Sequence, residues 1–366
     1  MEITSERQIG FWSFTWRQLR NKPVPFIALM FILLTVMIAI FAYLIAPDNT
    51  PNADLQMVEI QAKPPGFTQT FIVQPSGQEL KENPFTGTTS PYTYIPVTDY
   101  KIRNNEISFN RYIDEDTSTV QHADVNTLAF PHDPQKNVVN KRYWLGTDTF
   151  GRDILSRLII GARVSLAVGL IAVFISLILG VFLGALAGYY RGWTDSIILW
   201  MINVIWSIPT LLLVFAITMV AGKGFWQIFI AVGLTMWVSV ARLVRGQILS
   251  IREREYVQAA KALGYSDGRI ILRHVLPNIK GPLIVIAASN FATAIIIEAG
   301  LSFLGIGVQP PQPSWGLMIR ENYTFIITDN PVLAIIPGIA IMMLVLSFNL
   351  VGNALRDIFD VRLSRQ

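Results

Sequence analysis

Cysteine is absent from the 366 residues, which excludes disulfides and thiolate metal sites. Histidine occurs three times, as His122, His132 and His274, and no H-E-x-x-H run is present, so a helical zinc-hydrolase site is excluded. No G-x-x-x-x-G-K-[ST] phosphate loop is found either; a chain of this kind does not hydrolyse ATP itself. Charge is scarce, with 15% Asp, Glu, Lys and Arg against 52% hydrophobic residues, where a soluble domain carries about 25% charged. This composition is that of a polytopic membrane protein. No catalytic residue, metal or resident cofactor is expected, and the net charge of +4 reflects loops beside membrane spans rather than a nucleic-acid surface.

What the chain does have is long apolar runs. About 20 apolar residues cross roughly 30 Å of hydrocarbon, and such stretches fall at 26–46, 165–187, 197–220, 225–241, 282–304 and 332–352. The first is too long for a signal h-region and lacks an A-x-A site before Pro47, so it is expected to stay as an anchor. Gly180, Gly184 and Gly188 form a small-xxx-small ridge suited to close helix packing, while Pro209 and Pro337 are expected to bend the third and sixth spans. Glu298 is the one acidic or basic side chain inside these spans. It is either a gate or subunit-interface residue or a carboxylate that reaches the outer headgroups. A proton-coupled carrier needs several such groups and an intramembrane enzyme needs a nucleophile and base or a metal set; the three histidines lie outside every span, so both classes are disfavoured.

Orientation follows the basic residues. Arg7, Arg17, Arg20 and Lys22 precede the first span, and Arg242, Arg245, Arg252, Arg254, Lys261, Arg269, Arg273 and Lys280 crowd the 242–281 loop. The short loops on the other side carry only Lys223 and Arg320. The positive-inside rule puts both termini and the 242–281 loop in the cytoplasm. The expected organisation is a tail at 1–25, an anchor at 26–46, a polar, proline-rich extracytoplasmic insert at 47–141, and a helical membrane core at 142–366. Within the insert, 67–73 and 92–97 have strand composition, and 100–103 with 106–112 reads as a hairpin turning at Asn104-Asn105 with Ile107 and Phe109 alternating. The acidic run Asp114-Glu115-Asp116 has no cation-binding spacing with His122 or His132 and reads as a solvated loop.

Between the fourth and fifth spans lies EYVQAAKALGYSDGRIILRHVLPN, from Glu255 to Asn278. Tyr256, Ala259, Ala260 and Leu263 recur at helical spacing on a face suited to packing. Gly264 follows as the residue that ends a helix in a left-handed conformation. Ser266 is placed to cap a second helix running to Val275, which Pro277 stops. The order Ala259-Ala260, Gly264, Leu276-Pro277 resembles the EAA loop of membrane subunits of binding-protein-dependent ABC importers, with Gln258 where Glu is usual and His274 where Ile is usual. Leu145-Gly146-Thr147-Asp148, Gly151-Arg152-Asp153, Ser156-Arg157 and Gly161-Ala162-Arg163 resemble a signature of the C-type permease of dipeptide/oligopeptide importers. So do Glu298 to Gly305, Gln309-Pro310-Pro311, Pro313-Ser314-Trp315-Gly316, and Leu355-Arg356-Asp357 with Asp360. The chain departs from that pattern at Trp200, Asn203 and Val361. The arginines of the 145–163 run are expected at the membrane surface, meeting headgroups or a docked partner, or acting as plain interfacial anchors.

The resemblance implies an all-α membrane protein of six transmembrane helices, of the type I ABC importer permease kind, with a small β-containing extracytoplasmic insert. It implies a multi-pass inner-membrane permease subunit for peptides that works by alternating access. Its implied partners are a homologous second permease subunit, two ABC ATPase subunits that use the ATP, and an extracytoplasmic peptide-binding protein. Tyr256, Gln258, Ala259, Ala260, Gly264, Leu276 and Pro277 are the residues it assigns to the ATPase-coupling loop.

Overall fold

The computed structural model describes residues 11–103, 106–114, 117–222, 224–327 and 330–364. Arg7, the Asn104-Asn105 turn, Glu115-Asp116 and Lys223 lie outside these residues, as do the side chains of Phe11 and of 360–364, Asp360 and Val361 included. Helices α1 (Phe11–Arg20), α2 (Pro23–Ile40) and α3 (Ala42–Ile45) precede strands β1 (Phe67–Pro75), β2 (Tyr92–Arg103), β3 (Glu106–Tyr112), β4 (Ser118–Asp124) and β5 (Val138–Tyr143). Then come α4 (Ile154–Tyr190), α5 (Gly192–Trp206), α6 (Thr210–Ala221), α7 (Phe225–Ile251), α8 (Glu255–Ala262), α9 (Asp267–Ile270), α10 (Lys280–Phe303), α11 (Trp315–Asn322) and α12 (Val332–Ser364).

Among the described residues five helices are long and apolar enough to cross a membrane, or six if one bent pair counts as a span. The bent pair is α5 and α6, which meet at 92°. The span expected as one run at 197–220 is therefore broken, because Pro209 supplies no N–H and biases the residue before it out of the helical region. Pro337 behaves differently: α12 runs through it without a break. Helix α4 starts at Ile154 rather than 165, and its 37 residues extend about 55 Å at 1.5 Å per residue, well beyond the hydrocarbon thickness.

The chain clusters into two compact units, one of residues 1–35, 166–301 and 341–366 and the other of residues 36–165 and 302–340. In the first, helical unit, the glycine ridge of α4 seats α7. A methyl group at Gly184 would lie 2.5 Å from the Ala241 carbonyl oxygen, and one at Gly188 would lie 2.9 Å from that of Arg245. Gly233 on α7 receives Ile175 in the same way, 2.7 Å from where its Cβ would be. Such spacing brings two backbones together and substitutes van der Waals contact for the hydrophobic force that lipid does not provide. Leu19 of α1 is buried with Val285, Ala354, Ile358 and Phe359.

In the second unit the strands form one antiparallel sheet in the order β4-β3-β2-β1-β5. The expected hairpin pairs Ile102 with Ile107 and Arg103 with Glu106, and Ile107 and Phe109 are buried as their alternation demands. One face packs Ile72, Val97, Ile107, Phe109, Val125 and Leu128. The other buries Phe71 and Tyr143 against Met57 and Ile60 from the segment ahead of β1. Both faces of β1 are thus covered, which is why Phe71, Ile72 and Val73 are an unbroken apolar run.

Candidate coupling loop and buried ion cluster

Helix α8 ends as its sequence dictates. Gly264 has φ +77, its N–H donates to the Lys261 carbonyl at 3.0 Å, and the Tyr265 N–H donates to the Ala260 carbonyl at 3.2 Å. This pair of bonds is the Schellman closure, which depends on a residue tolerant of positive φ. A Cβ at Gly264 would meet nothing within 4 Å, so backbone conformation alone selects glycine there.

The packing face is divided. Val257 and Ala260 are buried with Val244, Ile248, Ile270, Val275 and Ile279, whereas Tyr256, Ala259 and Leu263 are exposed, Leu263 at 74%. The expectation that all four residues of the periodic face pack within the chain is corrected: only Ala260 does. Leu272, at 66% exposure, and Tyr265 extend the uncovered apolar surface.

The second arm also differs from expectation. Ser266 occupies the N-cap position of α9 without a side-chain cap bond; its carbonyl accepts from Ile270 N–H at 3.0 Å. Pro277 does not stop the helix. A π-helical turn at Ile271–Val275 passes into a 3₁₀ turn at Leu276–Ile279, with Pro277 near its start, and then into α10. A proline is tolerated at the first positions of such a turn, where its missing N–H has no intrahelical partner, and the π turn absorbs the change in pitch. Leu276 packs partly into the loop core and Pro277 is exposed.

The two departures from the EAA pattern have local partners. Gln258 Nε2 donates to the Arg252 carbonyl at 3.0 Å. His274 stacks on Tyr265 with ring centroids 6.0 Å apart, and Arg269 lies 4.4 Å from the same ring. Tyr189 donates to Asp267 at 2.7 Å, and Arg245 holds Asp195 through two bonds, Nη2 to Oδ2 at 2.7 Å among them. Exposed ion pairs such as Arg191 with Glu253 at 2.7 Å contribute at most about 1 kcal/mol, so apolar packing is what seats the loop. At the departures on the third span, Trp200 is exposed and Asn203 Oδ1 accepts from Arg242 at 3.5 Å.

Glu298 is fully buried on α10. Its carboxylate does not reach outer headgroups, and that alternative is set aside.

In the sheet-bearing unit the structure overturns another expectation. Arg152 and Arg157 do not face headgroups; they are 2% and 0% exposed. Arg152 Nε meets Asp148 at 2.7 Å, Nη1 meets Asp54 at 3.2 Å and Nη2 meets Glu321 at 2.7 Å. Arg157 Nη2 shares the same Glu321 oxygen at 2.9 Å. Burial opposes the charged form of Arg152, but Asp148 and Glu321 outweigh it and raise its pKa. Asp148 also accepts from the Phe150 and Arg152 backbone N–H groups, folding the 147–152 turn around its own side chain. Gly146 and Gly151, with φ +83 and +72, let that turn lie against the 57–64 backbone, where Met57 N–H donates to the Phe150 carbonyl at 3.0 Å.

Helix α4 begins with Asp153 accepting from Ser156 N–H at 2.9 Å. Burial pushes the Asp153 carboxyl up, and the bonds from Ser156 pull against it. Ser314 caps α11 through Leu317 N–H at 3.2 Å, and Trp315 Nε1 donates to the Leu158 carbonyl at 2.9 Å, with its ring against Gly161. Arg163 donates to the Phe85 carbonyl at 2.7 Å and lies over Tyr43. Motifs some 160 residues apart thus form one platform. Sequence reasoning missed Asp54 and Glu321, since no local spacing links them to the arginines.

Residues 180–365 match the model of the family described as binding-protein-dependent transport system inner membrane component. Residues 10–65 match the N-terminal TM domain of oligopeptide transport permease C. A dipeptide transport system permease protein of Alkalihalophilus pseudofirmus is 43% identical over 221 residues, 60% of this chain and 72% of the relative. A glutathione transport system permease protein of Pectobacterium atrosepticum is 39% identical over 234 residues, 64% and 77% of the two chains. A solved structure of the MetNI methionine ABC transporter in an inward-facing conformation aligns with 56% of this chain and 97% of its own, at 19% identity and a TM-score of 0.47.

Proposed function

Since the chain belongs to the family of inner membrane components of binding-protein-dependent transport systems, we propose that it is one of the two permease subunits of an ATP-driven importer of short peptides. The fold class expected from the sequence, an all-α membrane core of the type I importer permease kind with a small β-containing insert, is the one found, and its relatives are transport permeases rather than enzymes. In our reading an extracytoplasmic binding protein delivers the peptide, two ABC ATPases close on ATP, and a homologous second permease completes the path. Peptide is the cargo we favour because the relatives named above are a dipeptide and a glutathione permease. Both termini and the 242–281 loop are assigned to the cytoplasm, 47–141 to the extracytoplasmic side, and Glu298 to a gate or subunit interface.

One observation carries this reading. A helix closed by its own Schellman bonds, and seated by Val257 and Ala260, leaves Tyr256, Ala259, Leu263 and Leu272 uncovered on a charged loop. Large apolar side chains kept in water on a rigid element mark a protein contact. The ATPase subunit is the partner we assign to it, with α8 as the element that receives the stroke.

The test is reconstitution of the complex in proteoliposomes. Hydrolysis stimulated by the binding protein loaded with a dipeptide, with uptake of that dipeptide, is the expected result; hydrolysis without uptake of any peptide overturns the cargo assignment. A cysteine at Ser76 should react with an impermeant thiol reagent from outside intact cells and one at Ser266 should not. Outside labelling of Ser266 overturns the orientation.

A further inference from the structure

Helix α1 and the turn after it carry Arg17, Arg20 and Lys22, and residues 11–40 contain no acidic side chain. Thr15 and Leu19 are buried, and Leu19 packs with Val285, Ile358 and Phe359. That seating leaves the adjoining arc of the helix outward. At 3.6 residues per turn Trp12, Trp16 and Arg20 fall in one stripe and Ser13 and Arg17 in the next. All five are exposed, Trp12 at 71% and Trp16 at 50%. Lys22 is held by Asp357 at 3.0 Å, whereas Arg17 and Arg20 form no ion pair among the described residues. The depth of the arc is set by α2. Only Asn21 and Lys22 separate the two helices, and Phe26 opens the apolar run of a helix long enough to cross a membrane. The Trp16 ring meets Phe26 edge-on, with centroids 6.1 Å apart, so its indole lies within a side chain's length of the hydrocarbon boundary. Past that level Ile27, Leu33 and Leu34 of α2 are bare, as side chains facing lipid are.

We propose that α1 lies in the headgroup layer and that its exposed arc holds anionic phospholipids, with Trp12 and Trp16 at the acyl boundary and Arg17 and Arg20 on the phosphates. Indoles favour that layer because the ring is apolar and its N–H takes a polar partner. Guanidinium groups match phosphate oxygens in a fork, while their stems lie along apolar surface. With no acidic residue to balance them, two free guanidinium groups select anionic over zwitterionic headgroups. A protein is the rival occupant of an exposed aromatic arc. The contact of Trp16 with the first residue of a bare apolar run places lipid beside the arc and decides for the membrane. The proposal goes beyond the importer reading and depends neither on the cargo nor on the side of the membrane that α1 occupies.

The chain has no cysteine, so Ser13→Cys gives a single labelling site on the arc. The full chain, labelled there with bimane, is reconstituted in phosphatidylcholine vesicles, alone and together with the subunits that co-purify with it. The vesicles contain a small fraction of phosphatidylglycerol or of phosphatidylcholine, each spin-labelled near the top of the acyl chain, and quenching of the bimane is read. A cation near an anionic surface favours it about fivefold, so phosphatidylglycerol should be enriched at the label about fivefold or more over phosphatidylcholine. The preference should shrink at high salt. It should disappear in Arg17→Gln with Arg20→Gln, whose thermal transition should match that of Ser13→Cys alone because both positions are exposed. Equal quenching by the two lipids, or a preference that survives the double change, overturns the anionic site. The salt series needs no such change, and a preference indifferent to salt overturns the site as well. Quenching by neither lipid, or quenching lost once the co-purifying subunits are present, shows a protein over α1 and overturns the proposal.

Discussion

The 242–281 loop and the Arg152 cluster use opposite means to the same end, a fixed geometry in a mostly apolar chain. The loop leaves apolar surface bare: Leu263 and Leu272 are exposed, and the Arg191–Glu253 pair beside it is at the surface. The cluster hides its charges, with Arg152, Arg157 and Asp148 each almost wholly buried. Removing one partner of a buried ion pair is strongly destabilising, so the cluster depends on the carboxylates that its own unit supplies. An uncovered apolar strip is complete only when something covers it. In our reading one region is built to stay and the other to be met.

The largest effect expected from this contrast is at Glu321. Glu321→Gln removes the carboxylate shared by Arg152 and Arg157, and breaking a buried ion pair costs about 3–5 kcal/mol. The thermal transition of the purified subunit should drop by roughly 5–10 °C; an unchanged transition would show that the cluster does not hold its unit together. Next comes Gly264→Val, which forces a β-branched residue into φ +77 at about 1–2 kcal/mol. The spans should insert normally while capture of the ATPases and ligand-stimulated hydrolysis fall. Gly192, with φ +58 and open space around it, serves as the control for generic backbone strain, and equal losses in Gly192→Val would remove the special role of the loop.

Smaller still in folding terms is the double change Leu263→Ser with Leu272→Ser. Exposed positions shift stability by about 0.5 kcal/mol or less, so melting should be unaltered while ATPase pull-down weakens; retained capture would break the contrast between the regions. The smallest effect concerns pH. Burial lowers the Lys141 pKa to about 8 in the fold against an ordinary lysine value of 10.5, so the unfolded chain binds more protons between those values. Stability should then rise with pH across that window. Hydrogen exchange of β5 should report the rise in wild type and lose it in Lys141→Met, and a rise that persists in the variant would assign it to another group.

Much of this was legible in the sequence where the signal is local. Apolar runs located the membrane helices, Gly264 marked the end of α8, and alternation at Ile107 and Phe109 identified a hairpin. Strand β4 was missed because Ser118 to Asp124 is a polar edge strand with no apolar alternation. Strand β5 was missed because its residues face neighbours supplied only by β1. Partnership over long separations is what sequence spacing does not carry: Arg152 finds Glu321 across 169 positions, and nothing near either residue announces the other. The passage through Pro277 was missed for a different reason, since a proline stops a helix only where an i−4 bond is needed, and the turn geometry there does not need one.

That passage has a mechanical consequence. From Asp267 to Phe303 the chain is a single unbroken rod of 37 residues, with no hinge loop between the charged end and the apolar end. Leu272, bare to solvent, and Glu298, fully enclosed, are fixed to the same shaft. In the proposed coupling reading, a push delivered at the first would reach the second as a rotation or tilt, passed through the under-wound turn at 271–275 and the tighter turn at 276–279.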